Sequence, residues 1–273
     1  MELQGFGFTV LSFCMMVLLV LYKCSNTVKY YVKYLIYTAC VMIAAMLFIP
    51  YFCFRPKNVE NLLIYAEVLK HLTSVLGIKW TLRGAEHLNK NKSFVIVANH
   101  QTCLDIMGMF NIWNVIKLMT AIAKKELLYA GTFGPAAYLA GLVFIDRNSS
   151  KGKEAMNMAM EKLKQDNIKL WVFPEGTRRS TGEIHQFKKG AFHTAIQYQI
   201  PIVPVVYSSY NHFLDHKQKV FGEGEVIINA LPEISTKGLT VKDIDELMEH
   251  TKQRMDIVFR KISAEAAANL KDN

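Results

Sequence analysis

The chain opens with two long apolar stretches, residues 6–22 and 35–54, neither of which carries a charged side chain. From residue 61 onward the pattern changes. Short apolar runs rich in β-branched residues alternate with segments of helical period. Strands are predicted at 79–82, 93–98, 115–120, 142–145, 168–173, 202–207 and 225–230. Helices are predicted at 61–76, 104–112, 135–140, 151–165, 191–199 and 241–267. Gly131-Thr132-Phe133-Gly134-Pro135 breaks the apolar stretch 129–145, which argues against a membrane span there. Pro201 and Pro204 point to an edge or irregular position for the 202–207 strand, because proline cannot donate to a ladder. No repeat or low-complexity linker divides the region, so a single α/β domain is expected.

The two opening stretches read as helices. The second has about the length a bilayer requires, and the first is marginal. Glu2, and the lack of basic residues ahead of the first stretch, argue against a signal peptide. Lys23, Lys29 and Lys33 fall between the stretches. The plain reading is a two-helix anchor over residues 1–57, spanning or dipping into one leaflet, followed by a catalytic domain over 58–273. Arg55 and Lys57 follow the second stretch, so the distribution of basic residues gives no orientation.

Candidate chemistry begins where the 93–98 strand ends, at Asn99-His100-Gln101-Thr102-Cys103-Leu104-Asp105. At about 100° per residue, positions five apart do not share a helix face. His100 and Asp105 meet only if the histidine precedes a helix and the aspartate lies in its first turn. The carboxylate would then hold one imidazole nitrogen and leave the other to take a proton. Thr102 and Asp105 equally fit a capping box, a purely structural reading. A second strand ends at Phe173-Pro174-Glu175-Gly176-Thr177-Arg178-Arg179. Gly176 permits positive φ or close backbone approach, and Arg178 can fork onto a phosphate. Glu175 reads as the structural partner of an arginine, and Arg179 as a solvated surface charge. Two further segments are a short strand ending at Asp146-Arg147 and the proline-containing strand ending at Tyr207, the latter as consistent with a structural role as with ligand contact.

Together, in this order, the four segments resemble the glycerolipid acyltransferase family from about Arg55 to Ile262. The matches are Asn-His-x-x-x-x-Asp at Asn99, His100 and Asp105; Gly141, Phe144, Ile145 and Arg147; Phe-Pro-Glu-Gly-Thr-Arg at Phe173 to Arg178; and the 200–206 strand. The resemblance implies a central mixed sheet flanked by helices. It implies His100 as general base oriented by Asp105, and a substrate phosphate site at Glu175, Gly176, Thr177 and Arg178. Lys124, in Ala123-Lys124-Lys125-Glu126-Leu127, is similar to a further phosphate-binding lysine; Arg147 and Lys189 are assisting candidates. The implied reaction moves an acyl group from acyl-CoA to the sn-2 hydroxyl of lysophosphatidic acid, without an acyl-enzyme, a cofactor or a metal. Glycerol-3-phosphate or another lysophospholipid is the alternative acceptor, and a non-catalytic lipid-binding membrane protein is the alternative class. The family also implies an endoplasmic reticulum membrane, with the site expected to face the cytosol, where acyl-CoA is supplied.

Composition agrees with a lipid-facing protein. Of 273 residues 51% are hydrophobic, and the formal net charge is +9. The basic balance fits anionic headgroups and a phosphomonoester better than nucleic acid, for which no binding signature is present. The five cysteines show no Cys-x-x-Cys or zinc spacing. Cys103 lies three residues from His100, but a thiol in a capping turn is more often packed than nucleophilic. No Gly-x-Ser-x-Gly elbow occurs, which argues against a serine hydrolase. Asn91-Lys92-Ser93 and Asn148-Ser149-Ser150 are formal glycosylation acceptors, whose use would place the domain in a lumen.

Overall fold

The computed structural model describes residues 2–145, 160–161 and 163–269. Its centre is a seven-stranded sheet of β1 (Ile78–Arg83), β2 (Val95–Ala98), β3 (Met119–Lys124), β4 (Val143–Ile145), β5 (Lys169–Val172), β6 (Ile202–Tyr207) and β9 (Gly224–Ala230). The strand order is β1-β9-β6-β2-β5-β3-β4. All neighbours run parallel except β6 and β9, which makes the sheet mixed, as the family resemblance implied. The four residues of β2 are all buried, because its parallel neighbours bring cover to both faces. Ile96 and Ala98 enter one hydrophobic core and Val95 and Val97 the other, following the period of two.

Helices α3 (Glu60–Leu69), α4 (Leu72–Leu76), α5 (Ala85–Leu88), α6 (Asp105–Ile116) and α7 (Phe133–Leu139) precede β5; α8 (Gly190–Gln197) and α9 (Ile244–Asn269) follow it. The single helix expected at 61–76 is therefore two, and Gly77 in the left-handed region (φ 73°) ends the second. The strand expected at 115–120 begins later. Val115 and Ile116 complete α6, Lys117 breaks it with φ 64°, and β3 follows. A short apolar run does not reveal whether a helix is ending or a strand beginning. The helix expected at 151–165 lies largely outside the described residues, with 163–165 helical.

The prolines of β6 correct another expectation. β6 is an interior strand between β2 and β9, not an edge. Pairing with β9 covers only Val205 to Tyr207, and Ile202 makes a separate bridge to Ile234. Pro204 falls in the gap between them, where its carbonyl still accepts from Leu231 N at 2.8 Å. The position is irregular, as a missing donor requires, though central.

At the N-terminus α1 (Glu2–Cys24) and α2 (Asn26–Cys53) are separated by Ser25 alone, so Lys29 and Lys33 lie inside α2. Helix α2 is long and apolar enough to cross a membrane. One face exposes Leu35, Ile43, Met46 and Leu47. Its other face joins the domain core through Tyr30, Val41, Ala44, Ala45 and Phe52. The Lys33 Nζ is buried, and it donates to Leu76 O (2.6 Å) and Gly222 O (2.7 Å). A short hairpin not foreseen from sequence, β7 (Leu214–Asp215) and β8 (Val220–Phe221), borders this face. From the hairpin turn, His216 Nδ1 meets the Tyr30 hydroxyl at 2.8 Å. Helix α2 is thus packed onto the domain rather than tethered to it.

Candidate active site

Because β2, β5, β3 and β4 run parallel side by side, their C-terminal ends emerge on one edge of the sheet. That edge collects the loops carrying His100 and Glu175 to Arg179, and also Lys124, the last residue of β3. Ligands bind beyond the carboxyl ends of strands in such sheets.

The His100 turn is held on every side. Asn99 makes a two-way bond with the end of β6: its Nδ2 donates to Tyr207 O (3.0 Å) and its Oδ1 accepts from Tyr207 N (2.8 Å). Gln101 repeats the device one step on, donating to Ser208 O and accepting from Tyr210 N. The fourth segment therefore acts here as a scaffold for the first. His100 Nδ1 lies 2.7 Å from Asp105 Oδ2. The Asp105 side chain is fully buried, and that of His100 is 16% exposed. The imidazole stacks on Phe173, with centroids 4.0 Å apart and planes at 16°. With Nδ1 engaged, Nε2 remains to exchange a proton.

The capping reading and the orienting reading describe one carboxylate. Asp105 Oδ2 accepts from Gln101 N and Thr102 N as well as meeting His100. The Thr102 Oγ accepts from Leu104 N. The backbone amides of Gln101, Thr102 and Leu104, at the helix start after His100, are committed to these bonds and are not free to serve an oxyanion.

The second loop crosses the first. Glu175 was expected to partner an arginine; Arg179 does attract it, but its hydrogen bonds among the described residues come from backbone amides. Oε1 takes His100 N (2.7 Å) and Oε2 takes His185 N (3.2 Å). In return Arg179 N donates to His100 O at 3.1 Å. Burial raises the Glu175 carboxyl to about 7 against the lowering effect of the two amides. Gly176, with φ 71°, closes a turn by donating to Phe173 O. Thr177, Arg178 and Arg179 are exposed. The Arg178 guanidinium reaches the Cys103 sulfur. Burial pushes the Cys103 thiol up and Arg178 only partly offsets this, so a thiolate nucleophile is disfavoured. Tyr37 of α2 donates to Cys103 O at 3.1 Å, which brings the apolar helix to the rim of the site.

The remaining cations divide. Lys124 is exposed on the same sheet edge, and Arg147 lies outside the described residues. The Lys189 Nζ pairs with Asp245 Oδ1 at 2.7 Å. Its neighbour Lys188 lies over the Gly176 turn, where a Cβ added to Gly176 would stand 2.9 Å from Lys188 Nζ. The sequence expectation named Lys189; the signal for its neighbour was Gly176 itself, whose missing side chain leaves room for Lys188.

The sequence profile of the acyltransferase family matches residues 79–208. Human 1-acyl-sn-glycerol-3-phosphate acyltransferase alpha is 39% identical over 246 residues, covering 90% of this chain and 86% of that protein. The human beta enzyme is 36% identical over 256 residues, covering 93% and 91%. In fold, the chain is similar to the crystal structure of the 1-acyl-sn-glycerophosphate (LPA) acyltransferase PlsC from Thermotoga maritima. The TM-score is 0.69 at 23% identity, over 89% of this chain and 98% of that one. With an intact histidine–aspartate pair joined to its arginine-bearing loop, this chain belongs to the 1-acyl-sn-glycerol-3-phosphate acyltransferase family of glycerolipid acyltransferases.

Proposed function

We propose that the protein transfers an acyl group from acyl-CoA to the sn-2 hydroxyl of lysophosphatidic acid, forming phosphatidic acid. The observation that carries this reading is the 2.7 Å contact of His100 Nδ1 with Asp105, in a turn that exchanges backbone bonds with the Glu175–Arg179 loop. The acceptor phosphate docks on Arg178, with Lys124 and Lys188 completing the cationic surround. Lys188 serves better here than Lys189, whose charge is engaged by Asp245. The free glycerol hydroxyl then lies beside His100 Nε2. That nitrogen takes the hydroxyl proton as the oxygen attacks the thioester carbonyl, and Asp105 holds the tautomer and stabilises the imidazolium. The C–S bond breaks, the ester C–O bond remains, and the coenzyme A thiolate leaves and recovers the proton. No acyl-enzyme and no cofactor are required.

The lipid substrates and the apolar face of α2 place this reaction at a membrane, for which we favour the endoplasmic reticulum with the site on the cytosolic side. A glycan found on Asn91, which is exposed, would put the domain in the lumen and reverse that assignment. The activity itself is tested with purified protein in lipid nanodiscs, labelled acyl-CoA and a panel of lysophosphatidic acid, glycerol-3-phosphate and lysophosphatidylcholine. Preferred labelling of phosphatidic acid supports the reading. Turnover of another acceptor reassigns the substrate, and lipid binding without product rejects an enzymatic role.

A further inference from the structure

Asp105 has two carboxylate oxygens, and they are treated differently. Oδ2 meets His100 Nδ1 and two backbone amides. Oδ1 is fully buried, and among the described residues no donor meets it in hydrogen-bonding geometry. The hydroxyl of Tyr210 is in the same condition, buried and without a geometric partner. It faces the Asp105 carboxylate. An unmet buried acceptor and an unmet buried donor are each costly, and one hydrogen bond between them would satisfy both.

The surroundings explain why the ring is there but not why it carries a hydroxyl. Trp80 packs edge-on against Tyr210 with centroids 6.3 Å apart, and Phe213 lies at 5.7 Å. Tyr210 N donates to Gln101 Oε1 at 3.3 Å, and Gln101 N in turn donates to Asp105 Oδ2. The ring is thereby held against the carboxylate's own turn. A phenylalanine would fill this cage equally well. The carboxylate that the hydroxyl faces is that of Asp105.

We propose that Tyr210 is a positioning residue for acyl transfer, donating its hydroxyl hydrogen bond to Asp105 Oδ1 and so fixing the carboxylate that orients His100. This rests on the His100 and Asp105 assignment above. A donor on Oδ1 spreads the carboxylate charge and stops the group from rotating away from the imidazole. Without it Asp105 becomes a stronger acceptor, the imidazolium is held more tightly, and more of the base is protonated at a given pH. Asp105 is faced by Tyr34 and Tyr37 from α2, Cys103 from its own turn, Glu175 from the loop after β5, and Tyr207 and Tyr210 from the end of β6. Glu175 titrates near neutrality but is common to every variant, so its contribution cancels in comparison.

The test measures kcat, both KM values and the pH dependence of kcat/KM for Tyr210→Phe, Tyr207→Phe and His100→Ala, in the full chain in nanodiscs. Tyr207 donates to the Asp105 backbone carbonyl at 3.3 Å and serves as the structural comparison. For Tyr210→Phe, kcat should fall about 10- to 100-fold, the range of one hydrogen bond to a charged group. Both KM values should stay within about twofold, and the acid limb should move up by about half to one pH unit. Tyr207→Phe should leave that limb in place. If Tyr210→Phe proves unstable, 3,5-difluorotyrosine at position 210 keeps the shape and strengthens the donor, and the limb should move down. A Tyr210→Phe enzyme with unchanged kcat and acid limb, or an unmoved limb with difluorotyrosine, overturns the proposal. Turnover by His100→Ala would instead overturn the underlying mechanism, whatever Tyr210 does.

Discussion

The two loops that meet at His100 are built in opposite ways. The His100 turn is buried, and its side chains and amides are bonded to β6, to α6 and to Glu175. The Thr177–Lys189 loop carries its cations outward: Arg178, Arg179, Lys188 and Lys189 are all exposed. Glu175, at the root of that loop, is buried like the turn it supports. The difference suits the two tasks proposed for these loops. A general base must hold its tautomer and angle before substrate arrives, because orientation lowers the barrier. A phosphate needs charge at the mouth of the site, where cations stay hydrated until the headgroup displaces water.

This contrast is open to measurement, and its most severe test is at the buried base. His100→Ala should lower kcat by about 10²–10⁴. Its thermal unfolding should stay close to wild type, measured in the same nanodisc preparation. Near-normal turnover would mean that the rigid turn is structural only.

Glu175 should come next, because it joins the loops. Glu175→Ala leaves two backbone donors unmet and should cost about 2–4 kcal/mol of stability, read from denaturant unfolding. The pH dependence follows from its raised carboxyl, about 7 in the fold against 4.5 ordinarily. Between those values the folded state holds the extra proton, so this group's stabilisation is present below pH 4.5 and lost as pH rises to 7. The loss is on the order of 3 kcal/mol at most. Glu175→Gln should flatten the stability profile in that window; an unchanged slope would show that Glu175 is not its source.

At the exposed loop the effects should be smaller and fall on binding. Arg178→Ala should raise KM for lysophosphatidic acid roughly 10- to 100-fold, as for a lost hydrogen bond to a charged group. The KM for acyl-CoA should move little. If only the acyl-CoA value changed, the phosphate assignment would fail. The finest discrimination lies between neighbours. Lys188→Ala should weaken acceptor use several-fold, whereas Lys189→Ala, removing an exposed pair with Asp245, should change it less than about twofold. The reverse order would return the phosphate role to Lys189.

Much of the framework was legible along the chain. β6 and the 79–82, 142–145 and 225–230 strands were readable to within a residue or two, since each is an apolar run bounded by polar or turn residues. The His100 and Asp105 contact was also readable, because helix geometry permits only one arrangement for residues so spaced. Less could be known where a residue's neighbour is distant in sequence. The start of β3, the split between α3 and α4, and the gap that receives Pro204 depend on which surfaces press against them.

Local order and chemistry thus came from the sequence itself: apolar periodicity set the alternation of strands and helices, and residue type decided which groups could transfer a proton or hold a phosphate. Only the folded arrangement decided that Glu175 accepts two backbone amides, that Lys188 lies against Gly176 while Lys189 pairs with Asp245, and that Lys33 is buried against the domain. The reason is physical. Periodicity and propensity act over one or two turns of chain, whereas the partner of a buried polar group is chosen by whichever unmet donor or acceptor packing brings within about 3 Å.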